Sequence, residues 1–400
     1  MRRRITGPAL ALGCVAALAL TASCADRTDE TSESAGVVAL EAPATIRIAT
    51  FNIQALSTAR LTTLSPEGRG LDPQTLAAAS IIRRVRPDVL VLNEIDLDME
   101  HPGDPTLNAR RFADAYLAAG ADPIEYPYAY AAPSNTGVLS SLDLNGDGQV
   151  SSDSDRGTRE HGDDSYGFGT YPGQYAMAVL ARFPLDANGS RTFQLFRWAD
   201  LPGNHMPPGH LRPEAEAVFR LSSKSHWDLP VIIGPDTLHL WVSHPTPPVF
   251  DGPEDRNGRR NFDEIRFWVL YLEGEEGLVD DLGRPGGYAS GAPFVIAGDL
   301  NARPGDQAVV YDGVSPIDQL LDHPRITDPP ETQRTTASWL DGVRVDYVLT
   351  SADLPVTGGG VFDPDPESDP DGARWAEAAS DHRLVWVDVG WPVSRSLETR

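Results

Sequence analysis

The sequence predicts a layered α/β domain, and three observations carry that prediction. Apolar, strand-like runs alternate along the chain with helical stretches. Several runs end on, or lie beside, a carboxylate, an amide or an imidazole: Ile48-Ala-Thr-Phe-Asn52-Ile, Leu90-Val-Leu-Asn-Glu94, Ala297-Gly-Asp299-Leu-Asn301 and Ser380-Asp381-His382. These polar tips run from Asn52 to His382. A chain of 400 residues is long enough for two domains, but shared work among such distant tips needs one fold, here placed over 44–392.

The elements follow in order. Arg2-Arg3-Arg4, the apolar stretch Pro8 to Leu20 and the small residues up to Cys24 read as a secretory signal over 1–23. That stretch is shorter than the roughly 20 apolar residues of a membrane span. Leu20-Thr-Ala-Ser-Cys24 resembles the lipobox of bacterial lipoproteins, which implies diacylglycerol on the Cys24 thiol and a lipid anchor on the outer face of the cell membrane. The aliphatic residue sits one place early, with Thr21 in its slot, and ordinary signal cleavage is the alternative. Residues 24–43 are small and polar, a flexible tether.

Thr45 to Ile53 alternates as a half-buried strand does. Asp72-Pro73 supplies an N-cap and first-turn pair for a helix over Gln74 to Val85. Asp88 to Asn93 reads as a buried strand and Asn108 to Ala119 as a helix. Tyr175 to Ala181, Thr237 to Ser243, Phe294 to Ala297, Val343 to Thr350 and Leu384 to Val389 read as further strands, and Asn261 to Leu272 as another helix. The acidic, Pro/Gly-rich stretch Pro355 to Ala373 reads as a solvated loop.

Both cysteines, Cys14 and Cys24, lie in or at the edge of the leader, so the exported domain has no disulfide and depends on its core or a bound metal. With 33 basic and 58 acidic side chains the formal charge is −25. Such a field repels phosphate backbones and disfavours nucleic acid as a partner, although a metal and a local basic patch leave a nuclease open. That patch is sought in Arg256, Arg259 and Arg260, either a clamp on substrate phosphate or a salt-bridge cluster at a helix start. Asp143, Asn145 and Asp147, with Gly148 at the turn, match the opening of an EF-hand-like loop and predict a structural Ca²⁺. The closing acid is out of register, since Ser154 holds the twelfth position, and an acidic turn is the alternative.

Taken singly, these tips are ordinary. Asn52 reads as a turn cap, Glu94 as an exposed strand end, Asp299 with Asn301 as an Asx-turn. Together and in order, Thr50-Phe-Asn52, Asn93-Glu94, Val242-Ser-His244, Gly298-Asp299-Leu-Asn301, Arg344-Val-Asp346-Tyr and Ser380-Asp381-His382 resemble the endonuclease/exonuclease/phosphatase (DNase I-like) superfamily. The resemblance implies a four-layer α/β sandwich, two mixed sheets face to face with helices outside. It further implies Mg²⁺ or Mn²⁺ on Glu94, Asn52 and Asp381. Asp299 would orient or deprotonate water, Asn301 would donate to the phosphoryl oxygens, Asp346 would fix His382, and His244 would contact phosphate. Pro245-Thr-Pro-Pro248 after His244 departs from the leucine common in relatives. The implied activity is hydrolysis of an organophosphate mono- or diester by activated water, with nuclease action as a variant. A catalytically silent binding protein on the same fold is the alternative.

Overall fold

The computed structural model describes residues 43–339 and 342–391. The signal segment, Cys24 and the tether up to 42 lie outside the described residues. Twelve strands form two six-stranded mixed sheets. The first has the order β11 (Val356–Val361), β12 (Val385–Gly390), β1 (Thr45–Leu56), β2 (Val89–Ile95), β4 (Ala176–Ala181) and β3 (Tyr128–Tyr130). The second runs β5 (Arg191–Thr192), β6 (His226–Ile233), β7 (Asp236–Ser243), β8 (Phe294–Asp299), β10 (Asp346–Ser351) and β9 (Ile326–Thr327).

The period of two decides the layers. Ile46 and Ile48 of β1, Val89 and Val91 of β2, Leu240 and Val242 of β7, Val295 and Ala297 of β8 and Val348 of β10 share one core between the sheets. The alternate residues face outwards under helices. Phe51, Leu90 and Leu92 pack with Ala78, Ile81 and Ile82 of helix α1 (Pro73–Val85). Trp241, Ile296 and Tyr347 pack with Ile265, Trp268 and Leu272 of helix α2 (Arg256–Glu273). The four layers of the expected sandwich are therefore present. The N-cap of α1 is also as expected, Asp72 accepting from the Thr75 amide at 2.9 Å.

Two sequence expectations need correction, and one strand was not expected. Pro355 to Ala373 is not a plain loop, because it contains β11 and enters the helix Pro370–Ala379. Gly359 and Gly360 let β11 lie flat beside β12, since an added Cβ would come within 2.9 Å of the Trp386 carbonyl or 2.7 Å of its ring. The helix expected over Asn108 to Ala119 is α-helical only over Leu107–Phe112 and continues as a π-turn over Ala113–Leu117. Strand β6 escaped notice because Pro230 interrupts its run. Its carbonyl points away from β7 and accepts the Asp186 amide at 2.9 Å, so no ladder donor is missed.

Candidate active site

The same parity places the polar tips. Asn52 continues the inner face of Ile46 and Ile48, and Asn93 that of Val89 and Val91. Asp299 follows Val295 and Ala297, Asp346 precedes Val348, and His244 follows Val242. Each sits where the inter-sheet core ends, so both sheets contribute to one edge. Asn52 Nδ2 donates across the gap to Asp299 Oδ2 at 3.0 Å, and the Asp299 amide donates back to Asn93 Oδ1 at 3.2 Å. Gly298 permits the close approach of β7, for a Cβ there would lie 2.1 Å from the Ser243 carbonyl oxygen.

Glu94 breaks parity, and the backbone shows how. It lies in a register shift of β2 and has a φ of +63°. Such bulges re-aim a side chain, and here the carboxylate turns to meet Asn52 Nδ2 at 3.3 Å and the Ala55 amide at 2.9 Å. Gln54, Ala55, Tyr175 and Asn301 also have positive φ. Strained backbone of this kind clusters at functional sites. No arginine, lysine or histidine lies within ion-pair distance of Glu94 among the described residues.

On the other side, His382 Nδ1 lies 2.9 Å from Asp346 Oδ2, while its Nε2 lies 3.8 Å from Asp299 Oδ2. Asp299 and Asp346 are register partners on β8 and β10. His244 Nε2 approaches Asp299 Oδ2 at 3.5 Å. Asn301 donates its side-chain amide to Pro245 O at 3.1 Å and its backbone N–H to Asp299 Oδ1 at 2.9 Å. One bond to Pro245 thus fixes both Asn301 and the loop after His244.

The sequence matches the Endonuclease/Exonuclease/phosphatase family over residues 49–382. The chain belongs to this family. Among solved structures it is similar to an endonuclease/exonuclease/phosphatase from Beutenbergia cavernae DSM 12333, at 19% identity and a TM-score of 0.50, covering 87% of this chain and 72% of that one. It is also similar to an endonuclease/exonuclease/phosphatase family protein from Leptotrichia buccalis C-1013-b, at 13% identity and a TM-score of 0.46, with 86% and 100% covered. A third, the D. rerio TDP2 humanized by 14 mutations, gives 11% identity and a TM-score of 0.43, with 87% and 100% covered. No curated protein matches the chain significantly.

Family members are in general hydrolytic phosphoesterases, and the electrostatics of this member suit such work. Burial pushes the Asp299 carboxyl up to about 6, with Asp346 adding to the rise and His382, Asn52 and the Asn301 amide opposing it. Burial opposes charge on His382, but Asp346 and Asp299 outweigh it and carry the imidazole up to about 10. His244 goes the other way, held neutral by burial and by the positive charges of Lys224 and His382. Asp346 Oδ1 and His244 Nδ1 are buried with no hydrogen-bond partner among the described residues.

Two groups could hold a divalent cation. Asp299, Asp346 and His382 offer ligand atoms all within 4.8 Å of one another. Their charges are already paired through the His382 imidazolium, whereas Glu94 makes no ion pair among the described residues. Glu94 therefore fits a hard cation better, while the Asn52 amide presents its nitrogen to Glu94 and its oxygen accepts from the Gln54 amide at 3.0 Å. Asp381 is not joined to that pair. Its carboxylate accepts from the Ser380 hydroxyl at 3.5 Å.

The remaining sequence candidates lie elsewhere or are already engaged. Arg260 is buried, and its guanidinium donates to the carbonyls of Leu221, Tyr166 and Arg220 at 2.6–2.9 Å, so the substrate clamp is corrected to a structural tie. Arg256 donates to Leu144 O at 3.2 Å, and Arg259 to Glu254 O at 3.0 Å while its guanidinium covers the Tyr311 ring. In the acidic loop, Asp143 accepts from the amides of Gly146 and Gly148, and Arg212 Nη2 stands 3.3 Å from it. Asn145 Nδ2 donates to Asp147 Oδ2, Asp147 Oδ1 accepts from the Gln149 amide, and Asp164, not residue 154, ties Leu144 N and Ser151 N.

Several site residues were not foreseen. Asn261 donates to Thr246 O and Leu300 O, and Glu264 accepts from the Ser223 and Thr246 amides, so α2 shapes two of the site's loops. The signal was available, since both lie on the same helix face as Ile265 and Trp268. Trp339 places its ring 6.4 Å from that of His382. Lys224, buried beside the site carboxylates, is the most telling omission.

Proposed function

We propose that this chain is an exported, divalent-metal-dependent phosphoesterase that hydrolyses a phosphate mono- or diester of moderate size. The observation that carries the reading is the joining of Asn52, Glu94, Asp299, Asp346 and His382 at one edge of the two sheets. Asp299 is held by Asn52 and by the Asn301 amide, so its Oδ2 faces the two histidines with little freedom to rotate. Ionised above about pH 6, it would orient water and take its proton. The His382 imidazolium, fixed by Asp346, would donate to a phosphoryl oxygen and offset charge that grows in the transition state. Neutral His244 and the second Asn301 amide hydrogen would complete the oxygen contacts. Mg²⁺ or Mn²⁺ held by Glu94 would polarise the phosphoryl group, and Asn52 and Asp381 would join it only after the Asn52 amide turns and the Asp381 side chain leaves Ser380.

The acidic balance of the chain favours a small organophosphate over nucleic acid. Cys24, as a lipidated residue, would keep the enzyme on the outer face of the membrane; among the described residues no helix is long and apolar enough to cross one.

The test is turnover of a phosphomonoester, phosphodiester and DNA panel with and without chelator. Phosphate release that needs Mg²⁺ or Mn²⁺ and disappears in Asp299→Ala and His382→Ala, with folding retained, is the expected result. A purified protein that turns over nothing on the panel under any of these metals would return the silent binding protein to first place.

A further inference from the structure

Of the 33 basic side chains in this sequence, Lys224 is the single lysine. Elsewhere arginine supplies the permanent cations, in ion pairs such as Arg47 with Asp388 and in ties to main-chain carbonyls such as Arg260 with three of them. This lone lysine is 6% exposed, at the turn that leads into β6. Its backbone is fixed from both sides. The Lys224 amide donates to Ser222 Oγ, the Lys224 carbonyl accepts from the Asn135 amide, and the Ser223 amide is held by Glu264. The turn is also tightly packed, for a Cβ on Gly167 would lie 1.8 Å from Ser223 O.

The ammonium itself has no hydrogen bond and no ion pair among the described residues. His226 pairs with Ser243, and the Ser223 and Thr246 amides share the Glu264 carboxylate, so the turn that carries Lys224 lies beside the loop after His244; Glu264, Glu94 and Asp299 are the charges that act on it there. A purely structural role would pair it with Glu264. Both Glu264 oxygens instead accept backbone amides, from Ser223 at 2.8 Å and Thr246 at 2.6 Å, and no contact to Lys224 is made. A buried charge without a partner is costly and persists where a ligand completes it. Burial accordingly lowers the Lys224 pKa, against the pull of Glu264, Glu94 and Asp299.

We propose that the Lys224 ammonium is a substrate-binding group of this site, contacting a non-bridging oxygen of the phosphoryl group from the β6 side, opposite His382. The inference rests on the phosphoesterase reading and deepens it. A compact ammonium with three rotatable donors suits a phosphoryl oxygen in a closely packed site, where a planar guanidinium would need more room. Lys224 thereby supplies local positive charge of the kind sought in Arg256, Arg259 and Arg260, of which Arg260 is committed to main-chain carbonyls.

The single lysine makes the test direct. Protein grown on lysine labelled at Cε and Nζ gives one side-chain signal, and inorganic phosphate is the probe, added to the Mg²⁺-loaded enzyme. The expected result is a saturable shift of that signal at the phosphate concentration at which calorimetry reports binding. Lys224→Met is expected to weaken phosphate binding at least 20-fold while Mg²⁺ binding stays within threefold. If that variant does not fold, the titration of the parent decides alone. Phosphate binding that leaves the lysine signal unmoved, or an unchanged affinity in the variant, overturns the role of Lys224 only. A parent that binds no phosphate overturns the phosphoesterase reading as well.

Discussion

Two acidic regions of this molecule look alike in sequence and differ in what their carboxylates do. At the strand tips, Glu94, Asp299 and Asp346 stand on β-structure from both sheets, and Asp346 Oδ1 and His244 Nδ1 are buried without partners among the described residues. In the loop after Ser140, Asp143, Asp147 and Asp164 accept hydrogen bonds from their own loop's amides. The first group is held by strands and loops distant in sequence, and Asp346 Oδ1 is left for a ligand. The second is largely satisfied by the turn it builds. An acidic cluster points to chemistry when a scaffold holds its members apart from the local bonds they would otherwise make.

The comparison can be broken at several points. The largest effect is expected at Asp299. Asp299→Asn should lower kcat by about 10³-fold, in the range of general-base losses, while Asp143→Ala leaves kcat within twofold. Comparable losses in both would erase the distinction, and steady-state kinetics on the best panel substrate settles it.

Asp346→Asn should cost activity next, roughly 10–100-fold, by releasing His382. Its sharper signature is in pH. His382 is raised to about 10, so its charge is present below that value and lost above it. Without Asp346 the His382 pKa should drop and the alkaline limb of kcat move down with it. An imidazole titration by NMR that is indifferent to the substitution would contradict the pairing.

A stability prediction concerns His226, buried against the Glu264 carbonyl and lowered by burial to about 4. A histidine depressed in the folded state loses stability as pH falls from its unfolded value of about 6.5 towards 4, by about 3 kcal/mol in all. Urea melts at pH 7 and pH 4.5 should show most of that loss in the parent, and less in His226→Asn.

The smallest effects belong to the loop. Asp164→Ala should cost about 1–3 kcal/mol of stability by orphaning two amides, with kcat unchanged. Calcium titration by calorimetry separates a cation site from a bare turn, since binding lost in Asp143→Ala would support the expected Ca²⁺ and equal heats in both proteins would remove it.

Much of the site was legible because strands have a period of two. Once Ile46, Ile48, Val295 and Ala297 are read as core, Asn52 and Asp299 must emerge at the end of the same face. Glu94 was legible only by resemblance, since parity points it under the helices and a bulge returns it. Lys224 was hidden because Pro230 disguised the strand behind it, and its position depends on the turn before that strand. The arginine patch misled for a different reason. Charge in sequence says nothing of burial, and Arg260 proved to be a tie among main-chain carbonyls. Gly359 and Gly360 misled in the same way, because glycines that read as loop are also what an edge strand needs beneath Trp386.

The central claim is that Asp299 delivers water to phosphorus at this edge. Hydrolysis in ¹⁸O-labelled water, followed by mass analysis of both products, tests it most directly. One labelled oxygen should appear in the released phosphate or phosphomonoester and none in the alcohol. Label in the alcohol would mean attack at carbon, and the account of this site would be wrong.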